Sequence, residues 1–313
     1  MHKSSKPIIK HRIDFLDWID IEKGLSYKSQ ENYSRFLKRF LDWVELNKLT
    51  NLKPHELTPE HIYEYKTYLS RNYTTRDKKP LKRVTQNYYL IAVRSLLTYF
   101  ADKDIISLPP EKIKLAKQSG ERKVSFLNLA QIERLLNVIN TKTTTGLRDR
   151  AILETLFSTG LRVAELCSLT RDQIRIDNDT KVLEISIVGK GEHLRTVFIS
   201  PRAIIWLKKY LNTRLDKEKA LFIGYKGTNP GKCLTTRSIE RLVKKYVVIA
   251  GLPITTTPHT LRHSFATDLL IKGVDLRIVQ EFLGHRNIST TQIYTHVTRP
   301  HLAEIHQKYH GNK

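Results

Sequence analysis

Residues 257–270 read TPHTLRHSFATDLL, and residues 283–296 read LGHRNISTTQIYTH. The proline at 258 suits the first turn of a helix, so we predict a helix over 259–271. Among their apolar residues, the two stretches place two histidines, one arginine and one tyrosine in a fixed pattern. We therefore expect this part of the chain to carry reactive side chains on a helical framework.

His259 and Arg262 are three positions apart in the predicted helix, so both side chains lie on one face. The N-terminus of a helix presents free N–H groups and the positive end of the dipole, which favours an anion. A guanidinium group matches two phosphate oxygens. We therefore interpret Arg262, together with Arg162 in the motif GLRVAEL, as a pair of phosphate ligands. Taken alone, either arginine is more readily explained as a surface residue.

Three further side chains complete a set that could cut a phosphodiester. Tyr294 is the candidate nucleophile, but a phenol with its ordinary pKa of about 10 needs cationic neighbours or a base to lose its proton. His259 and His285 could supply the base, and Lys190 in GKGEH could reach into a groove from a turn. Taken singly, these residues also fit a half-buried tyrosine, a helix-ending histidine and an exposed lysine.

A metal site is the competing interpretation of His259 and His263, which are four positions apart. The zinc motif HExxH has this spacing, but it requires a glutamate directly after the first histidine, and threonine stands there. Arg262 beside the pair would also repel a cation. We therefore expect no metal and no cofactor.

The chain is strongly basic. Its 313 residues include 54 Lys and Arg against 31 Asp and Glu, a formal net charge of +23. The excess lies in both halves of the chain, so no basic tail accounts for it. Charge on this scale favours a polyanionic partner, and double-stranded DNA held by two domains fits best. The charge alone would fit a chromatin-like binder without chemistry equally well.

Cysteine content and hydropathy indicate the compartment. Cys167 and Cys233 are too few for a disulfide framework or a four-cysteine metal site. No apolar run approaches the length of a membrane span, and the first residues lack the apolar segment of a secretory signal. We expect a cytoplasmic protein without membrane contact.

Apolar residues recur at three- and four-residue steps through the first hundred residues, which predicts helices. The clearest stripe consists of Tyr33, Phe36, Leu37, Phe40, Leu41 and Val44. Residues 105–123 contain paired prolines, a Ser-Gly step and many lysines, and we interpret them as a linker. Alternation over 181–188 and 194–200 predicts an antiparallel hairpin in an otherwise helical second half.

These patterns predict a mainly α protein with two domains. The first is a helical domain over 1–104, the linker spans 105–123, and the second domain covers 124–313. The second domain is mixed α/β, mostly helical with a small antiparallel sheet.

With these motifs assembled, the chain resembles the tyrosine recombinases of the phage integrase family. The resemblance rests on GLRVAEL, GKG, TPHTLRHSFAT and LGHRNISTTQIYTH, which occur in order and at the intervals usual for Xer-type members. It covers nearly the whole chain. It implies that residues 1–104 form a core-binding, SAM-like DNA-binding domain and that residues 124–313 form the catalytic domain.

The resemblance also implies a reaction. A site-specific recombinase of this family exchanges strands between two duplexes through a Holliday junction. Tyr294 would attack a backbone phosphate to give a covalent 3′-phosphotyrosine link. Lys190 would protonate the leaving 5′ oxygen. The link keeps the phosphodiester energy, so neither ATP nor a metal is required.

The remaining site residues receive roles by the same resemblance. Arg162 and Arg262 would hold the phosphate, while His259 and His285 would donate hydrogen bonds or help to move the tyrosine proton. Glu165, one helical turn after Arg162, would orient an active-site group. Its alternative is a solvent-facing helix acid.

The family works as a tetramer on two DNA sites, which implies a homo- or hetero-tetramer with exchange of a C-terminal helix. Leu302, Ile305 and Tyr309 form a short amphipathic stripe that could serve as this helix, although it could also pack within its own subunit. Two other functions stay open at this point. One is a type IB-like topoisomerase, and the other is a DNA-binding accessory protein that performs no chemistry.

Overall fold

A computed structural model describes residues 1–74, 79–116, 125–177, 180–189, 194–226 and 230–284. The chain divides into two compact units, Met1–Glu121 and Arg122–Lys313. None of the helices within these described ranges is long and apolar enough to cross a membrane.

Within its described residues, the first unit is a bundle of four α-helices. They are α1 (Arg12–Ile21), α2 (Tyr27–Leu46), α3 (Pro59–Thr67) and α4 (Arg83–Asp102), with a π-helical turn at Tyr68–Asn72. The predicted stripe lies on α2, where it forms part of the core against α1 and α4. Its members Leu37, Phe40, Leu41 and Val44 are buried. The helical interpretation of the first hundred residues is therefore confirmed.

The segment after α4 belongs to the core of the first unit over part of its length. Ile105, Leu108 and Ile113 are buried there among the aromatic and aliphatic side chains of the bundle. The domain boundaries at 104 and 124 stay a prediction, and the residues up to 116 pack with the first unit.

The described part of the second unit is mostly helical and contains one two-stranded sheet. Its elements are α5 (Leu129–Asn137), α6 (Thr144–Thr159), α7 (Val163–Ser168), β1 (Leu183–Val188), β2 (Leu194–Ile199), α8 (Pro201–Leu211), α9 (Thr236–Ile249), α10 (Pro258–Ile271) and α11 (Leu276–Leu283). The strands are antiparallel, with Leu183 opposite Ile199 and Val188 opposite Leu194. This confirms the predicted hairpin and the mainly α fold.

Helix α6 lies at the centre of the second unit. It packs against α8, α10 and β2, and most of its residues are buried. Its buried charges are paired within the unit: Arg148 with Asp149, and Arg150 with Glu154. Because the helix packs against other elements on several sides, its C-terminal end is fixed in place. The residues that follow its C-cap Gly160 therefore start from a defined position.

Candidate active site

Arg162 is positioned by the end of one helix and the start of the next. Helix α6 ends at Thr159, and its C-cap Gly160 has a φ of 60°, in the left-handed region that favours glycine. Arg162 is the N-cap of α7, and its backbone N–H donates to Glu165 Oε2 at 2.8 Å. Its Nη1 donates to Glu165 Oε1 at 2.9 Å. The motif GLRVAEL thus folds into a helix start in which Glu165 orients the arginine.

Glu165 is shared by a second arginine, Arg195 on β2. Arg195 Nη1 donates to Oε1 at 2.8 Å, and Nη2 donates to Oε2 at 2.7 Å. Burial by itself would raise the pKa of Glu165, but the hydrogen bonds from Arg195 and from the Arg162 backbone outweigh it and lower the pKa to about 2. Glu165 is therefore a permanent anion that fixes two guanidinium groups.

No role was predicted for Arg195, which stands in β2 two residues after the motif GKGEH. The alternation of residues along β2 could have predicted its importance. Side chains of a strand point alternately to its two faces, so Arg195 lies on the same inward face as the buried Val197 and Ile199. A charged residue at such a position needs a buried partner, and Glu165 is that partner.

Arg262 and His259 both lie on α10, which begins at Pro258, one residue before the predicted start at 259. The N-cap Thr257 accepts the N–H of Thr260 and fixes the start of the helix. Arg262 is only 4% exposed. Its Nη1 donates to the Gly160 carbonyl at 2.7 Å and its Nη2 to the Leu283 carbonyl at 2.5 Å. Arg262 therefore ties the ends of α6 and α11 together.

His259 projects from the first turn of α10 toward solvent. Partial desolvation lowers the pKa of His259 below its ordinary value of 6.5, and the positive charges of Arg262 and Arg162 lower it further. The ring is therefore neutral at pH 7. One ring nitrogen can donate a hydrogen bond while the other accepts one.

The C-terminal end of α11 completes the arrangement. Gly284 follows the helix with a φ of 60°, and its carbonyl accepts a hydrogen bond from Arg162 Nη2 at 3.3 Å. A Cβ at this position would lie 2.7 Å from Arg195 Cδ. Arg162, Arg195 and Arg262 thus all reach the end of α11, directly before position 285.

The structure brings four of the predicted site residues together around the ends of α6, α10 and α11. They are Arg162, Glu165, His259 and Arg262. The other three, Lys190, His285 and Tyr294, lie outside the described residues. In the chain, Lys190 stands between the two strands, and His285 directly follows Gly284.

Comparison with known proteins identifies the class. The profile of the phage integrase family matches residues 125–301, and the profile of the phage integrase N-terminal SAM-like domain matches residues 14–107. The chain therefore belongs to the phage integrase family and is a tyrosine recombinase, an enzyme of site-specific DNA recombination.

Individual relatives agree with this assignment. The chain is 36% identical to the tyrosine recombinase XerD of Lacticaseibacillus casei over 304 residues, which cover 95% of this chain and 97% of the relative. It is 38% identical over 309 residues to the tyrosine recombinase XerC of Natranaerobius thermophilus, with the same coverage. Among solved structures, XerH site-specific recombinase bound to difH substrate in a pre-cleavage complex is 25% identical, with a TM-score of 0.67. This match covers 94% of this chain and 83% of that one.

Proposed function

We propose that this recombinase cuts duplex DNA with Tyr294 as the nucleophile, at a phosphate held by Arg162 and Arg262. The observation that carries the proposal is the convergence of these two arginines, from separate elements, on the ends of α6 and α11 beside His259. The side chain of Arg162 is 31% exposed, so a phosphate arriving from solvent can meet it. Arg262 acts from a buried position as a preorganised positive charge.

The proposed chemistry is a phosphoryl transfer in two steps. The phenol oxygen of Tyr294 attacks phosphorus, the bond to the 5′ oxygen breaks, and a 3′-phosphotyrosine link forms. His259 or His285 receives the phenol proton, and Lys190 gives a proton to the leaving 5′ oxygen. In the second step a 5′-hydroxyl from the partner duplex attacks the link and releases the tyrosine. The number of phosphodiester bonds is conserved, so the scheme needs neither ATP nor a metal.

We further propose that the recombinase acts as a homo- or hetero-tetramer in which the C-terminal segment of one subunit docks on the next. An apolar groove of about 350 Å³ in the second unit supports this assembly. The start of α5, the segment before it and one side of α10 line this groove, and the lining residues Phe126, Leu129 and Ile271 are exposed. The spacing of Leu302, Ile305 and Tyr309 predicts that they share one helical face, which would match such a groove.

The cytoplasmic location stays a prediction.

A nicked suicide substrate tests the proposed function. The full-length protein is incubated, in a chelating buffer, with duplex DNA that carries its site and a nick beside the scissile phosphate. The expected result is a covalent protein–DNA adduct and, on paired intact sites, recombinant products. Binding without an adduct would favour an accessory protein. Relaxation of supercoiled plasmid without any recombinant product would favour a topoisomerase.

A further inference from the structure

The segment that follows α4 is fastened to the first unit, although its sequence predicts a linker. It starts at a contact with the N-terminal residues, where the His2 backbone N–H donates to the Asp104 carbonyl at 2.7 Å. Farther along the segment, Leu108 and Ile113 are buried in the core of the unit. Residues 104–116 therefore form a strap on the first unit.

The last residue of the strap, Ala116, is held by a buried side-chain amide. Asn87 on α4 is only 7% exposed. Its Nδ2 donates to the Ala116 carbonyl at 2.9 Å, and its Oδ1 accepts a hydrogen bond from the Ala116 backbone N–H at 3.1 Å. One amide thus pairs with both backbone groups of one residue, as a residue of a neighbouring strand does. We call this pair of bonds the Asn87 clamp.

Burial makes the clamp favour the docked strap. A buried amide that loses its hydrogen-bond partners costs free energy, so release of Ala116 would leave both polar groups of Asn87 without these bonds. Since the clamp bonds only the backbone of Ala116, it selects a position along the chain. Lys66 near the end of α3 adds a second polar contact, from its Nζ to the Lys114 carbonyl at 2.9 Å.

The strap changes the place at which the chain leaves the first unit. Helix α4 ends at Asp102, and Asn87 is the fifth residue of this 20-residue helix. With a rise of about 1.5 Å per residue, the two positions lie roughly 22 Å apart along the helix. The strap therefore carries the chain back from the C-terminal end of α4 to a point near its N-terminal end.

The second unit fixes the chain again at Leu127, directly before α5. The Leu127 backbone N–H donates to the buried Ser264 Oγ at 2.8 Å, and Leu127 is 4% exposed. Ten residues, 117–126, separate the two fixed positions, whereas 22 residues, 105–126, would separate them if the strap were released as far as Asp104. The strap thus shortens the connection between the units by about half.

We propose that Asn87 is a positioning residue that sets the length of the connection with which both units hold one duplex. The proposal rests on the proposed action on DNA. When two linked units bind the same molecule, the second contact is intramolecular, and its effective concentration depends on the length of the connection. It is highest where the length matches the span, and it falls when the connection is longer or too short to reach. By fixing Ala116, the clamp gives the connection one defined length.

Hydrogen exchange and limited proteolysis of the DNA-free, full-length protein test the clamp itself. Asn87→Ala is compared with Asn47→Ala, which removes an amide that donates to the Trp43 carbonyl of its own helix at 2.8 Å. We expect the Ala116 amide to exchange about 10-fold faster or more in Asn87→Ala, and trypsin to cut after Lys114, a site that the wild type and the control resist. Equal exchange of the Ala116 amide in all three proteins would show that the clamp does not hold the strap.

A deletion of residues 118–120 tests the length of the connection. In the wild type it shortens the connection from ten residues to seven, whereas in Asn87→Ala the release of residues 114–116 compensates for it and ten remain. Fluorescence anisotropy gives the Kd for duplex DNA that carries the site. We expect the deletion to weaken binding about 10-fold in the wild type, because the bound protein must break the clamp, and less than about twofold in Asn87→Ala. The same fold-change in both backgrounds, including no change in either, would overturn the proposal.

Two controls separate this role from folding and from the proposed function. Circular dichroism checks that each variant folds, and Asn87→Ser takes the place of Asn87→Ala if the latter does not. Adduct formation by the wild-type protein on the nicked duplex is an independent readout. Its absence would contradict the proposed function, while hydrogen exchange at Ala116 would still decide whether the clamp holds the strap.

Discussion

At Glu165 a single buried carboxylate accepts four N–H groups, from the backbone and side chain of Arg162 and from both terminal nitrogens of Arg195. Such an arrangement fixes each guanidinium in one orientation before any substrate is present. Because two arginines share this one carboxylate, the cluster of Arg162, Glu165 and Arg195 has a net positive charge. Preorganised charge of this kind stabilises the additional negative charge that develops on the oxygens of a phosphate during attack.

Replacing Glu165 with Gln is expected to weaken the fold in a pH-dependent way. The pKa of Glu165 is about 2, below its ordinary value of 4.5, so its charge stabilises the folded state above pH 4.5, and this contribution is lost as the pH falls to 2. At pH 7 we expect the variant to lose about 3 kcal/mol of unfolding free energy. Urea unfolding at several pH values checks this. A difference that stays constant between pH 7 and pH 3 would contradict it.

Arg195 is expected to act as a positioning residue for Arg162. In Arg195→Gln the whole charge of Glu165 falls on Arg162, so we expect the single-turnover rate of adduct formation to drop about 10-fold or more. Arg195→Lys keeps the charge and should recover part of the rate. The control is Arg175→Gln, which removes an exposed arginine of the same unit. Wild-type rates in Arg195→Gln, measured at saturating protein, would exclude this role.

At the scale of elements, the candidate site is a meeting point of helix ends. Helices α6 and α11 both end at a glycine with a φ of 60°, and the carbonyls at these ends accept hydrogen bonds from Arg262 and Arg162. The negative end of a helix dipole favours a cation. The same two arginines therefore hold the helices together and, under the proposed function, bind the phosphate.

The two arginines are expected to differ in their effect on stability. Arg262→Lys removes a buried fork that bonds two carbonyls 123 positions apart in the chain, at Gly160 and Leu283, so we expect it to lower the unfolding free energy by about 2 kcal/mol or more. Arg162→Lys, at a half-exposed position, should cost less than about 1 kcal/mol. Urea unfolding of both variants measures the difference. If both variants lost the same unfolding free energy, the two hydrogen bonds of Arg262 would contribute no more to stability than the bonds of Arg162.

Gly160 offers a sharper test of the helix end. A Cβ at Gly160 would lie 2.5 Å from Phe265 Cδ1, whereas a Cβ at Gly251, which has the same φ of 60°, would meet nothing within 4 Å. Gly251→Ala is therefore expected to cost about 1 kcal/mol from backbone strain alone. Gly160→Ala should cost clearly more, about 3 kcal/mol, and should also slow adduct formation through the Arg262 bond. Similar melting temperatures for the two variants would contradict this.

The elements show what the sequence could and could not predict. The start of α10 at Pro258, the apolar face of α2 and the strand pairing follow from local spacing, and each was predicted. The bond from Arg262 to the carbonyl of Gly160 joins residues 102 positions apart, and no local pattern encodes it. Arg195 was missed for the same reason, since its partner Glu165 lies 30 positions earlier in the chain.

On the scale of the whole molecule, the positive charge of the chain is consistent with its membership of a family of DNA recombinases. Both units share in a net charge of +23, and both match the profiles of one family, the first unit as the SAM-like domain and the second as the integrase domain. Two basic units are suited to a duplex, because each neutralised phosphate releases counterions and adds affinity that does not depend on sequence. Under the proposed function, the charge favours binding to DNA, and the residues around Arg162 hold the phosphate at which a bound strand is cut.

The central claim is that Tyr294 becomes joined to the 3′ phosphate of a cut strand. Wild-type protein and the Tyr294→Phe variant are incubated with the same nicked duplex in a chelating buffer, and the adduct is digested and mapped by mass spectrometry. Tyr27→Phe, at an exposed tyrosine of the first unit, is the control. We predict that the nucleotide is found on the peptide containing Tyr294 in the wild-type and control proteins, and that Tyr294→Phe binds the duplex but forms no adduct. A nucleotide on another residue, or an adduct that persists in Tyr294→Phe, would contradict the account.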